Sequence, residues 1–261
     1  MLKKYFSGIY ANRYILGSLI QRDLLMKYRG SKLGVAWTIL TPLGLAIIVG
    51  TVYSILFGTS PETLIPLIFA SINPWMFMSG TADGATMAFP AAEGYIKQST
   101  VASQIFPLRA TTVNFVTLSY SVLTFFGLYL FIAPEKFGPA MLLCFPGLMI
   151  MFVFTLGMAN ITSVINLSVR DFAPFQSLIF QGLFYATPII YDAKILESKG
   201  MSIIYEINPF YYMLEVVRRP MLGDELPGGE VYLIACAVAI GTFLLGTYLQ
   251  VRTRKEIAYM L

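Results

Sequence analysis

Six stretches of this chain are long and apolar enough to cross a lipid bilayer, and nothing else in the sequence constrains its fold as strongly. A hydrocarbon core about 30 Å thick takes about 20 consecutive apolar residues in a helix. Such a helix satisfies its own backbone groups where no water is available. The stretches are 33–57, 63–89, 110–133, 139–167, 173–191 and 231–251, bounded by charges, proline or glycine. Composition agrees, with 57% hydrophobic and 12% charged residues against about 25% charged in soluble domains. The expected fold is all-α and integral to the membrane, one transmembrane domain over residues 1–261. Its parts are a cytoplasmic interface segment (1–32), spans one to five (33–191), an external gate hairpin (192–230), span six (231–251) and a cytoplasmic tail (252–261).

Orientation follows from where the bases fall, because Lys and Arg are retained on the cytoplasmic side. With the N-terminus inside, 13 of the 18 bases lie in cytoplasmic segments and 5 outside. The acids divide the other way, four inside and nine outside, so the faces carry +9 and −4. Only Asp83, within the second stretch, belongs to neither face. Both termini are therefore expected in the cytoplasm.

Three segments depart from a plain bundle. Residues 14–27 carry Leu16, Leu19, Ile20 and Leu24 at helical spacing among Arg13, Gln21, Arg22 and Lys27, the pattern of a basic amphipathic helix on a membrane surface. No apolar core or cleavage site of a secretory signal precedes it. Residues 201–222 are too charged to span and too apolar for open water, and Asn208-Pro209 interrupts them. Two short helices broken there, dipping into the outer face, are predicted, since proline disfavours a helical predecessor. Between the second and third stretches, residues 91–105 are predicted to form a short cytoplasmic helix carrying Glu93, Tyr95, Ile96, Lys97 and Gln98, suited to docking a soluble partner.

Absences narrow the function. With no histidine in the chain, Ser-His-Asp triads, HExxH zinc sites and His-ligated haem are excluded. Cys144 and Cys236 lie in apolar runs without CxxC spacing and read as buried thiols; no metal site is expected. No glycine is followed by lysine, so the chain has no phosphate-cradling P-loop. An ion-coupled carrier or an intramembrane transferase needs clustered titratable groups at the midplane, where only Asp83 stands, in the run Ser79–Thr86. Gly80 and Gly84 in that run have the spacing of close helix packing. Aromatics make up 15% of the chain, and their faces could line a conduit. Candidate channel residues are Trp37, Tyr53, Phe57, Trp75, Phe77, Asp83, Phe180, Phe184, Tyr185, Tyr191 and Tyr211.

The chain resembles the membrane subunits of bacterial ABC exporters for O-antigen, capsule and teichoic acid. The resemblance rests on Arg22-Asp23, Lys27-Tyr28-Arg29, Ser31, Leu33-Gly34, Trp37, Leu40 and Pro42 near the N-terminus. It continues through Pro107-Leu108, Asn166 with Arg170-Asp171-Phe172, Thr187-Pro188-Ile189-Ile190-Tyr191 and Asn208-Pro209. It implies a homodimer enclosing a channel, two copies of a separate ATP-binding subunit that carry ATP and Mg, no cofactor on this chain, and location in the bacterial inner membrane. By the same resemblance the N-terminal helix and residues 91–105 meet the ATPase. Asn208, Pro209, Tyr211, Glu215 and Arg218 belong to the external gate. Arg22, Lys27, Arg29 and Lys32 are candidates for the head group of a lipid-linked polysaccharide, since cationic side chains pair with phosphate. Where many members have Phe-Pro-Arg in the first cytoplasmic loop, this chain has Val101-Ala102-Ser103. An ABC-type exporter of a drug, lipid or ion is the alternative. No nucleic-acid partner is expected.

Overall fold

The computed structural model describes residues 1–27, 29–254 and 256–261. Tyr28 of the N-terminal motif and Lys255 of the basic tail lie outside the described residues. Among the described residues every regular element is helical. In order these are α1 (Leu2–Ala11), α2 (Arg13–Lys27), α3 (Trp37–Phe57), α4 (Pro61–Thr86), α5 (Glu93–Gln98), α6 (Ile105–Ile132) and α7 (Cys144–Ser168). After them come α8 (Phe172–Ala186), α9 (Lys194–Glu197), α10 (Ile203–Glu206), α11 (Pro209–Leu222), α12 (Gly229–Thr253) and α13 (Ile257–Met260).

Five helical segments, 34–57, 61–86, 105–132, 139–168 and 229–253, are long and apolar enough to cross a membrane. The stretch 173–191 differs. Its helix α8 has 15 residues, about 22 Å at the α-helical rise and short of the hydrocarbon core. It stops at Thr187, whose backbone is extended (φ −91°, ψ 133°), because Pro188 follows and clashes with a helical predecessor. The predicted helix over 91–105 also shortens. A 3₁₀ turn at Pro90–Ala92 leads into six-residue α5, and Ser99 turns extended (φ −142°, ψ 160°). Helix α6 then begins at Ile105, five residues before the apolar run, with Pro107 in its first turn, where a missing N–H costs no intrahelical bond.

Helix α7 is the hub, packed against α4, α6, α11 and α12. Its crossing with α12 is close because Gly157 has no side chain: a Cβ there would come within 2.5 Å of Phe243 N. Helix α3 shows the opposite economy. Its buried residues Thr38, Pro42, Ala46, Gly50 and Ser54 recur every fourth position, giving one narrow stripe on the bundle. Ile39, Leu40, Ile47, Ile48, Ile55 and Leu56 face outward. Gly80 and Gly84 do not mediate close packing within the chain, since a Cβ at either would meet nothing within 4 Å. Cys144 is buried and Cys236 half-buried, both as free thiols.

The break at Asn208-Pro209 falls as predicted, between α10 and α11. Asn208 Oδ1 accepts the Phe210 N–H at 3.0 Å, capping α11 in the manner favoured for Asn. The helix ends at Gly223, left-handed at φ +66°, where glycine carries no steric penalty. Between these ends α11 packs on α4, α7 and α12, so a helix with three charged residues is enclosed within the bundle.

Candidate functional site

The sequence-predicted residues fall into three zones, and the first lies where α2 meets the bundle. Leu19 of α2 is buried and Leu16, Ile20 and Leu24 are half-buried, so the predicted apolar stripe faces protein. Arg109 Nε and Nη2 donate to the two carboxylate oxygens of Asp23 at 2.5 and 2.6 Å, a bidentate pair joining α6 to α2. One turn further along α2, Lys27 Nζ donates to Thr117 Oγ1 at 3.0 Å. Burial against the neighbouring helices draws the Lys27 pKa below the ordinary lysine value. Lys27, Trp37 and Phe77 together line a cavity of about 430 Å³ between α3, α4 and α6. Arg22, Arg29 and Lys32 are exposed and are not among its lining residues.

The other channel candidates scatter. Trp75 is buried in an aromatic cluster, with ring centroids 6.4, 5.8 and 5.3 Å from Phe180, Phe184 and Phe210. It is core, not an open wall of the chain. Tyr53 leans on Phe57 at 5.4 Å. Tyr185 is exposed and accepts, through its carbonyl, the Tyr191 hydroxyl proton at 2.8 Å. Asp83 is half-buried and accepts from Gln176 Nε2 of α8 at 2.9 Å.

The second zone is the end of the bundle that carries α1, α5 and α13. Ile96 packs on a small core of Leu19, Phe89, Phe106, Val164 and Ile257, and the Tyr95 ring lies 6.4 Å from that of Phe106, so α5 is anchored by two neighbouring side chains. Glu93, Tyr95, Lys97 and Gln98 are exposed, and Lys97 Nζ donates to Glu93 Oε1 at 2.7 Å. Sequence reasoning missed the residue that binds this end together. Tyr5 is fully buried. Its hydroxyl accepts from Asn160 Nδ2 at 3.1 Å, its carbonyl accepts from Gln104 Nε2 at 3.1 Å, and its ring meets Phe243 edge-on at 5.7 Å. The Tyr5 side chain thus ties α1 to α7 and α12, and its main-chain carbonyl ties α1 to the loop before α6. Burial pushes its hydroxyl pKa up to about 12 despite the Asn160 bond, so it is neutral at physiological pH. A lone tyrosine among basic residues carries no spacing signal, nor does the Asp23–Arg109 pair, separated by 86 positions.

The third zone is at the opposite end of the bundle. Glu215, 1% exposed, accepts from both Arg218 and Arg219. Arg218 also donates to the Pro188 carbonyl at 2.5 Å and to Ser71 Oγ at 3.3 Å, while Asn208 Nδ2 donates to Thr187 Oγ1 at 2.7 Å. The carbonyl freed where α8 stops is thereby satisfied by α11. Tyr211 is buried, 4.5 Å from the Tyr205 ring. Of the predicted gate residues, Glu215 and Arg218 share one hydrogen-bonded cluster, while Asn208, Pro209 and Tyr211 lie at the start of the same helix, Asn208 bonded to Thr187 and Tyr211 packed on Tyr205.

A bundle of long apolar helices with a charged helix enclosed among them and basic contacts at one end is the architecture of a transport subunit. The model of the ABC-2 type transporter family matches residues 14–222, from α2 to the last residue of α11, and the chain belongs to that family. Its members are transmembrane subunits that work with an ATP-binding subunit. The chain is similar to the O-antigen export system permease protein RfbA of Myxococcus xanthus, 26% identical over 238 residues and 89% of each chain. It is also similar to an O-antigen export system permease protein RfbA of Klebsiella pneumoniae, 25% identical over 201 residues and 77% of each chain.

Proposed function

We propose that this chain is the channel-forming subunit of an ATP-driven exporter that moves a lipid-linked polysaccharide of O-antigen or capsular type across the bacterial inner membrane. The observation that carries this reading is the likeness to an O-antigen export permease over 89% of both chains. In this reading two copies of the chain enclose the path and two copies of a separate subunit supply ATP and Mg²⁺ chemistry. The short α8 with residues 187–191 completes a sixth crossing. Both termini then lie in the cytoplasm, in keeping with 13 of 18 bases on that side.

The roles follow from placement. Helix α5 turns Glu93, Tyr95, Lys97 and Gln98 toward the ATPase, and α10 with α11 gates the outer mouth. The exposed bases Arg22, Arg29 and Lys32 draw in the substrate head group electrostatically. Deleting the gene in its native host is expected to abolish surface polymer while lipid-linked polymer accumulates inside; cells that keep their surface polymer overturn the reading. Arg29→Gln is expected to lower surface polymer while the chain still co-purifies with its ATPase, and unchanged export by that variant removes Arg29 from the substrate path.

A further inference from the structure

The cavity between α3, α4 and α6 has chemistry beyond what an export path requires. Its volume of about 430 Å³ lies within the ~300–1,000 Å³ range of small-molecule sites. Lys27, Ser31, Trp37, Asn73, Asn114 and Ser121 are among its lining residues, with Leu45, Phe77 and Leu118 beside them. Two of the polar groups bond to their own helices: Asn73 Nδ2 donates to the Phe69 carbonyl at 2.8 Å and Ser121 Oγ to the Thr117 carbonyl at 3.4 Å. The lining thus brings hydrocarbon together with the cation of Lys27. The wall is also left open. Met76 and Gly80 are exposed on a helix whose spanning window is 67% buried, and a Cβ at Gly80 would meet nothing within 4 Å.

We infer that this cavity holds one anionic phospholipid of the cytoplasmic leaflet, its phosphate at Lys27 and the start of its chain against Trp37, Leu45, Phe77 and Leu118. Three arguments support that occupant. Lysine binds phosphate as a point charge carried on a flexible apolar stem. Tryptophan favours the membrane interface, with its apolar ring beside the chain. Anionic lipids are concentrated in the leaflet this end of the bundle faces. The inference rests on the orientation proposed above and not on the nature of the exported substrate.

Tryptophan fluorescence tests it, because the chain has two tryptophans and they differ sharply: Trp37 is 48% exposed at the cavity and Trp75 is 5% exposed in the core. The full chain is reconstituted in phosphatidylcholine vesicles doped with phosphatidylglycerol brominated in its acyl chains. The control has equal bromine on phosphatidylcholine. Phosphatidylglycerol is expected to quench more strongly, with saturation as its mole fraction rises. Lys27→Gln should weaken that excess about tenfold through loss of a charge-assisted contact. Gly80→Leu, which fills the cavity and leaves Lys27 in place, should abolish it. Equal quenching by the two lipids overturns the inference, as does a folded Lys27→Gln or Gly80→Leu chain that retains the excess. Millimolar inorganic phosphate at constant ionic strength should leave the excess intact; its loss there assigns the site to free phosphate and overturns the lipid. The substitutions act on separate helices, so a folding failure in one leaves the other decisive.

Discussion

At the end of the bundle that carries α1, α2 and α5 the small helices are fastened by several contacts, whereas at the other end α11 is fastened by a single cluster. Tyr5 holds α1, the Asp23–Arg109 pair holds α2, and Tyr95 and Ile96 hold α5; the two polar contacts share no residue, and Leu19 of α2 meets Ile96 only in a small apolar core. At the other end Glu215, Arg218, Arg219, Ser71 and the Pro188 carbonyl form one connected set. The surroundings differ as well: Asp23 and Arg109 keep 26% and 20% of their side-chain surface in solvent, Glu215 and Arg218 only 1% and 6%. The contrast teaches that one end is adjustable piece by piece and the other changes as a unit. Separate, partly wet contacts suit a surface that is pushed and pulled by a partner. A dry cluster resists partial change, because breaking one link strands the rest.

The largest test of this contrast is Glu215→Gln. It leaves Arg218 buried without its counter-charge, and is expected to cost about 3–5 kcal/mol of stability in detergent unfolding. A loss below 1 kcal/mol, roughly the worth of an exposed pair, breaks the comparison. Next comes Tyr5→Phe, which deprives the buried Asn160 amide of its acceptor and should cost about 1–3 kcal/mol. Hydrogen exchange should quicken in α1 and stay unchanged in α11; faster exchange in both would mean the two ends are not independent. Asp23→Asn should cost about 1 kcal/mol, since the pair is partly solvated, and should expose α2 to protease while α1 stays protected.

The smallest effect belongs to Lys136, whose Nζ donates to Asp224 Oδ1 at 3.2 Å across two connecting segments. The hydrogen bond to the Asp224 carboxylate raises the pKa of Lys136 above the ordinary lysine value. Its stabilisation is therefore complete below the unfolded-state pKa of about 10.4. It is lost as pH rises through the higher folded-state value. Lys136 and Asp224 are 45% and 48% exposed, so the loss should stay under about 1 kcal/mol, read as the part of the pH dependence of the unfolding midpoint in that window that Lys136→Met removes.

What could be read in the sequence followed the local rules and stopped where they stop. The apolar runs located α3, α4, α6, α7 and α12 within a few residues because membrane thickness sets a minimum length. Asn208-Pro209 located the start of α11 because proline acts on its immediate neighbour. Pro188 carried the same signal inside the run 173–191, and there apolar content outweighed it, so the early end of α8 was missed. Helix α5 was overdrawn because residues 99–104 are compatible with a helix and only the packing of this end makes them irregular. Contacts that join distant segments have no period: Tyr5 with Asn160, Asp23 with Arg109, and the Gly157 crossing with Phe243. In the third zone the residues were legible and their connection was not. Glu215 and Arg218 read as charges on an external hairpin, while the structure buries both against α4 and the end of α8.

The bond from Arg218 to the Pro188 carbonyl governs how this molecule can be recombined. A chimera that imports α11 from a relative while keeping the local 187–191 segment, or that keeps α11 beneath a foreign 61–86 helix, separates a donor from its acceptors. Ser71, Pro188 and the whole of α11 must travel as one block, with joints placed in 58–60 and 224–228. Foreign sequence can enter at α1 or α5 on its own, provided that Tyr5 and Phe6, or Tyr95 and Ile96, come with it.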